Sequence, residues 1–248
     1  MRRALLLLAF LWYAPPARAD GPGYRWRSGA PSGGELAQRF APPAGTTRMA
    51  VAPGSFGDWL RHLPLLPPGA QVHLFDGRLK ARQDVHLAVV DLDVGTRDLQ
   101  QCADAVMRLR AEYLFASGAA IAFHPDPGKP RAIAWPAHDT DRRRFEKYLV
   151  RVFADAGTAS LAAELGPARE PAPGDVLIQG GYPGHAILVL DVAIAADGRR
   201  YLMLGQSYMP AQQFHVLKAA DGSPWFAAAF PLATPEWRPF AAADLKRF

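Results

Sequence analysis

The chain has 248 residues, 50% hydrophobic and 21% charged, enough apolar mass to bury a substantial core, which excludes a disordered chain. Its 23 prolines and 22 glycines are spread without a period, which excludes collagen-like, coiled-coil and solenoid readings. Lys and Arg number 28 against 23 Asp and Glu, a balance of +5 that falls to +2 without Arg2, Arg3 and Arg18, so no nucleic-acid partner is implied.

Those three arginines belong to the first segment of the chain. Arg2 and Arg3 precede an apolar run from Ala4 to Ala14 that is short for a membrane span, and Ala17-Arg18-Ala19 is a small-x-small cleavage site. Residues 1–19 are therefore expected to be a signal peptide and the product to be exported, periplasmic or secreted. No later apolar run approaches about 18 residues, so no stable membrane insertion is expected after cleavage. The single cysteine, Cys102, has no internal disulfide partner. It is an inert core thiol, an intermolecular link or a reactive group.

Residues 20–45, rich in Gly, Pro and Ser with Tyr24, Trp26 and Phe40 as anchors, read as an extended arm, and residues 46–248 as a single globular domain. A short helix is expected from Phe56 to His62, ending before Pro64, then strands at Val72–Phe75 and His86–Leu92. Asp98 as N-cap with Gln101 three residues on opens a long helix to about Ala116, with Cys102 in its first turn. Cys102, Val106, Leu109 and Tyr113 form its apolar stripe, and Gln101, Asp104, Arg108 and Glu112 an opposite, ion-paired face. A second helix runs from about Asp141 to Ala154 with Arg142-Arg143-Arg144 on its solvated face. Strands follow at Asp175–Gln179, His185–Val192, Arg200–Gln206 and Phe214–Leu217. Helices followed by antiparallel strands predict an α+β class, helices packed on one face of an antiparallel sheet.

A cysteine nucleophile needs a lowered pKa, an imidazole and donors for an oxyanion, and each has a candidate. Cys102 would sit at the positive end of a helix dipole. His185 opens an apolar strand after the glycine-rich Gln179–Gly184, and Gln206 on the next strand can orient it. If Asp197-Gly198 is a two-residue turn, paired indices sum to 395; a six-residue loop gives 391 and sets Gln206 opposite His185. Gln100, Gln101, Gln179, Gly184 and Ser207 are the candidates for the oxyanion site and cleft. The seven histidines lack ligand spacing and no cofactor motif is present, so neither metal nor cofactor is expected. Asp91, Asp93 and Asp191 lie near strand ends and read as solvated turn residues, with orienting carboxylates as the alternative. Two rivals stand beside catalysis: a binding protein that stacks a glycan, peptide or protein partner on Trp26, Trp59, Trp135, Trp225 and Trp237, or a polar pocket of Gln179, Gln206, Gln212 and His185 with the cysteine as bystander.

The blocks Asp98-Leu-Gln-Gln-Cys-Ala-Asp-Ala-Val-Met-Arg-Leu-Arg-Ala-Glu-Tyr113, Gly174-Asp-Val-Leu-Ile-Gln-Gly-Gly-Tyr-Pro-Gly-His185 and Gln206-Ser-Tyr-Met-Pro-Ala-Gln212 resemble those of a bacterial family, domain of unknown function 4846. Gly54–Pro64 and Thr234-Pro-Glu-Trp237 fit it as well, so the resemblance spans nearly the whole mature chain. A weaker resemblance is one of order: a cysteine near a helix start, then a Gly-Asp-Val strand, then a Gly-His pair opening an apolar strand, is similar to papain-like and NlpC/P60-type cysteine hydrolases. That resemblance implies a papain-like fold, hydrolysis of peptide or amide bonds, with the cell envelope as substrate source, Cys102 as nucleophile, His185 as base and Gln206 as its orienting residue. The cysteine context departs from it, Gln-Gln-Cys-Ala in place of an Asp-Cys-Ser-Gly type.

Overall fold

The computed structural model describes residues 23–126 and 131–248. The predicted signal peptide lies outside the described residues. In chain order the elements are α1 Leu36–Arg39, β1 Thr46–Arg48, α2 Phe56–Arg61, β2 His86–Val89, α3 Cys102–Ala116, β3 Ile121–Phe123, β4 Ile133–Trp135, α4 Arg142–Asp155 and α5 Thr158–Glu164. The second half holds β5 Gly166–Pro167, β6 Val176–Gln179, β7 His185–Ala195, β8 Arg200–Gln206, β9 His215–Leu217, β10 Trp225–Ala227, β11 Leu232–Thr234, β12 Trp237–Phe240, a 3-10 turn Ala242–Asp244 and β13 Leu245–Arg247.

One nine-stranded antiparallel sheet organises the chain, in the order β2-β9-β8-β7-β6-β13-β5, with β1 added to β7 and β10 to β8. The long strand β7 is the spine. Its first half pairs with β6 (Gln179 opposite His185, Val176 opposite Leu188), and its far end pairs on that side with β1 (Thr46 opposite Ala195). Apolar residues line both faces of β7. Ala186, Leu188 and Leu190 join a core beneath α2 to α5, and Ile187, Val189 and Val192 join a second core with Phe226, Leu232, Phe240 and Leu245.

The expectation of helices packed on one face of a sheet, in a papain-like arrangement, is overturned. Among the described residues strand outweighs helix, 27% against 22%, and the architecture is mostly antiparallel sheet. The physical reason lies in β7: a nearly continuous apolar run marks a strand buried on both faces, and here the separate β11–β12 pair supplies the second cover. These short strands carry too few residues for a period to show.

The sheet register corrects a second expectation. The β7–β8 pairs sum to 394 from Ile194–Arg200 to Asp191–Met203, then to 393 at Val189–Leu204 and Leu188–Gly205, because a β-bulge intervenes. Neither anticipated register occurs, yet Gln206 keeps the same face as His185.

Residues 23–45 lie over the helical side. Tyr24 donates from its hydroxyl to the Trp59 carbonyl (2.7 Å), Trp26 from its indole to that of Asp91 (2.8 Å), and the Leu36 N–H bonds the Leu63 carbonyl. Asp191, expected in a turn, is buried within β7. Its Oδ2 accepts from Arg48 Nη1 (2.9 Å), and its Oδ1 from Arg61 Nε (2.7 Å) and the Val192 N–H (2.9 Å). It thereby clamps β1 and α2 to the spine.

Candidate functional site

Helix α3 begins at Cys102, with Gln101 rather than Asp98 as its N-cap; the Gln101 N–H donates to Asp104 Oδ2 at 3.0 Å. Asp98 serves the preceding loop, accepting at Oδ1 from Gln101 Nε2 (2.9 Å) and the Ala211 N–H (2.7 Å). The expected ion-paired face of this helix is itself buried at Asp104, Arg108 and Glu112. Arg108 donates to Asp93 Oδ2 (2.7 Å) and Gln100 Oε1 (2.7 Å), and Glu112 accepts from Arg142 (2.6 Å), so α4 and the loop before α3 cover the polar stripe.

The Cys102 thiol is held against β7 at the peptide that follows His185. Peptide N–H groups of Ala186, Ala103 and Cys102 itself are turned toward the sulfur and favour the thiolate, but burial outweighs them and Asp104 adds repulsion, so the thiol is pushed up to about 11. The expected helix-dipole activation is thus overridden. A side chain only 4% exposed loses more from desolvation than one helix terminus returns.

His185 is fully buried, its ring 5.0 Å from that of Tyr208 and 4.9 Å from that of Trp237. Its Nε2 meets Gln206 Oε1 at 2.8 Å, and Gln206 Nε2 donates to Glu236 Oε2 at 3.2 Å. Lys80 closes the chain with an ion pair to Glu236. This order fixes the proton. A carboxylate only accepts, so the Gln206 amide must turn its NH2 to Glu236 and its oxygen to His185, and Nε2 must carry the ring hydrogen. Nδ1 is left as a buried lone pair without a hydrogen-bond partner, and no hydrogen bond joins it to Cys102. Burial lowers the imidazole to about 4, with Gln206 opposing, so the pair at neutral pH is thiol and neutral imidazole.

That proton assignment is testable. Long-range 1H–15N spectra at pH 7 are expected to show His185 as the Nε2–H tautomer, and Gln206→Leu to mix the two tautomers. A wild-type Nδ1–H signal would remove Nδ1 as a base.

A cleft of about 270 Å3 opens at the thiol, lined by Gln101, Cys102, Asp104, Asp126, Gly181 and Gly184 among others. Exposed Tyr182 and Met209 stand at its rim. The glycines admit the protein's own chain: a Cβ on Gly184 would lie 2.1 Å from Thr158 Oγ1, and one on Gly180 2.8 Å from the Ala162 Cβ, so this loop is pressed on α5.

Of the candidate residues, Cys102, Gln101 and Gly184 line the cleft, and His185 and Gln206 are bonded to each other behind it. The other three are engaged elsewhere. Gln100 bonds Arg108 and the Asp93 carbonyl, and Ser207 Oγ donates to the carbonyls of Gln212 (2.7 Å) and Gln100 (3.2 Å). Gln179 accepts from Trp237 (3.0 Å) and Arg238 and donates to Pro239 and Asp244, tethering β12 and the 3-10 turn to β6. These bonds dissolve the expected polar pocket around Gln179. Trp59, Trp135 and Trp225 are core residues, and Trp26 and Trp237 are half-buried and hydrogen-bonded to the protein itself, so these five are engaged internally.

Glu236, Lys80, Asp104 and Asp126 went unread as site residues in the sequence. Glu236 had a signal, since it lies in the Thr234–Trp237 block; Lys80 had none. Among the described residues no group of three or more His, Cys, Asp or Glu is arranged to hold a metal, and no helix is long and apolar enough to cross a membrane.

The profile of the family described as Domain of unknown function (4846) matches residues 36–132 and 127–247. The chain belongs to that family. No curated protein and no solved structure matches it.

Proposed function

We propose that the protein is an exported thiol hydrolase acting on peptide or amide bonds, with the cell envelope as the source of its substrate. The observation that carries the reading is that the Cys102 thiol at the start of α3 faces the Ala186 N–H, the residue next to a Gln206-held His185 whose Nδ1 has no hydrogen-bond partner. The signal-like first nineteen residues support export.

In the proposed step, Sγ attacks the carbonyl carbon while its proton passes to His185 Nδ1. The N–H groups of Cys102 and Ala103 at the helix start stabilise the oxyanion. His185 then gives the proton to the departing nitrogen, the C–N bond breaks, and water hydrolyses the thioester left on Cys102. Starting from a neutral pair, His185 acts as a general base rather than as half of a standing ion pair. Nδ1 and Sγ must close to hydrogen-bond distance as substrate enters, a tightening common on going from empty to loaded sites.

The test is cleavage of a defined panel of short peptides and of purified envelope peptide fragments, read by mass spectrometry. Cleavage is expected in the wild type and a loss of about 10³-fold or more in Cys102→Ala, with the unfolding midpoint kept as the check on folding. Cleavage that survives Cys102→Ala would sink the reading. The same fragments bound but uncut would favour the second reading, a non-catalytic binding protein, for which Tyr182 and Met209 at the rim are the contact surface.

A further inference from the structure

The charge on the walls of the Cys102 cleft is one-sided. Asp98, Asp104 and Asp126 contribute carboxyl groups to its lining, and among the described residues no Lys, Arg or His lines it. Asp98 sits at the exposed rim with Oδ1 committed to Gln101 and Ala211. Asp126 accepts from the Ser160 N–H (3.1 Å) and from the hydroxyl of Tyr182, whose ring stands 77% exposed above the opening. Asp104 lies deepest, 7% exposed. Its Oδ2 takes the Gln101 N–H, and its Oδ1 is buried without any hydrogen-bond partner.

A buried carboxyl oxygen with no donor costs free energy, and such an atom on a cleft wall points to a donor that arrives with a ligand. Resting on the hydrolase reading, we infer that the cleft selects a substrate carrying a primary ammonium group beside the bond offered to Cys102, with Asp104 and Asp126 as its counter-charges. The ammonium supplies three donors, which suits an unpartnered Oδ1 above a second carboxylate. The same walls repel a carboxylate, so a free amino end or a lysine-type side chain is accepted and a free acid end is turned away.

Burial holds Asp104 protonated well above the ordinary carboxyl range, with Asp126 adding to the effect. A bound cation opposes this shift, so the ammonium ligand should release protons as it binds, at a pH where the free Asp104 carboxyl still holds its proton.

The probes are alanyl-glycinamide, its N-acetyl form and N-acetyl-lysinamide, titrated into Cys102→Ala protein, where no turnover intervenes. Binding is read at the amides of Gly157, Gly181 and Gly184, and proton release by calorimetry in two buffers. Alanyl-glycinamide is expected to bind about tenfold or more tighter than its acetylated form. Asp104→Asn should abolish the proton release and bring the two within about threefold, and Asp126→Asn should reduce the preference independently. Asparagine keeps an oxygen for the Gln101 N–H, so the helix cap survives the first substitution. N-acetyl-lysinamide separates the sources: tighter binding than alanyl-glycinamide assigns a side-chain amine, weaker binding an α-amine. Equal binding of the charged and acetylated peptides, absence of binding by both amines, or a preference untouched by both substitutions would overturn the inference. Cys102-dependent cleavage without charge preference leaves the hydrolase and removes the ammonium site; charge-selective binding without cleavage does the opposite.

Discussion

Replacing Asp191 by alanine is expected to lower stability by about 3–5 kcal/mol, the cost of leaving a buried charge without its partner. Two guanidinium groups depend on this carboxylate, those of Arg48 at 2.9 Å and Arg61 at 2.7 Å, with side chains 20% and 11% exposed beside an Asp191 that is 1% exposed. Arg48 also donates to the carbonyls of Ala37 and Phe40. Losing the anion therefore loosens the arm, β1 and α2 together. For a domain of this size each kcal/mol moves the melting midpoint by about 2–4 °C, so a drop on the order of 10 °C is expected in calorimetry. Asp191→Asn, which keeps the acceptor but not the charge, should fall between. A drop under about 1 kcal/mol would show the clamp to be solvated.

The second large effect concerns the thiol. With Cys102 moved from an ordinary 9.0 to about 11, iodoacetamide at pH 7.5 meets about a hundredfold less thiolate than on an exposed cysteine, and the rate should keep rising to about pH 11. The same shift acts on stability, with a definite sign. The unfolded thiol ionises near 9 while the folded one keeps its proton to about 11, so stability is unaffected below 9 and falls as pH rises through that window. The loss is about 3 kcal/mol at its end, and Cys102→Ala should remove it. Rapid alkylation at pH 7 in the empty protein would mean a thiolate already formed, and His185 would then be a proton donor first rather than a base.

Long periodic segments were the legible part of this fold. The α3 stripe and the runs of β6, β7 and β8 lie close to where patterning put them: β6 begins at Val176 rather than Asp175, and β7 continues to Ala195 rather than Val192. What patterning does not carry is what covers a face. β7 is apolar on both sides, and only the folded chain brings Leu232 and Phe240 beneath it. Strands of three residues such as β1, β10 and β13 exist because β7, β8 and β6 offer them an edge, a tertiary cause with no local signature. Val72–Phe75, expected as a strand, makes only isolated bridges, His73 with Leu79 and Leu74 with Gln212.

The candidate site divides in the same way. His185 and Gln206 were legible together because a two-residue side-chain period keeps their face through any odd index sum; the turn-proximal pairs sum to an even 394, and the bulge restores the odd parity at 393. Glu236 and Lys80, which set the orientation of that pair, come from segments 156 residues apart in sequence. No spacing rule reaches so far. The segment from Tyr208 to Gln212 becomes intelligible only in space: Tyr208 bonds the Glu236 carbonyl, Ala211 bonds Asp98, and the Gln212 carbonyl takes Ser207. It knits the end of β8 to the loop that launches Cys102.

β13 sits between β5 and β6, pairing Leu245 with Leu177 and Arg247 with Gly166. A chain emerging from the ribosome thus cannot finish its sheet until residues past Asp244 have left the exit tunnel. Until then the edge of β6 stays open to other strands, a hazard for aggregation during synthesis. With so many pairings distant in sequence, β1 with β7 and β2 with β9 among them, folding is expected to be slow.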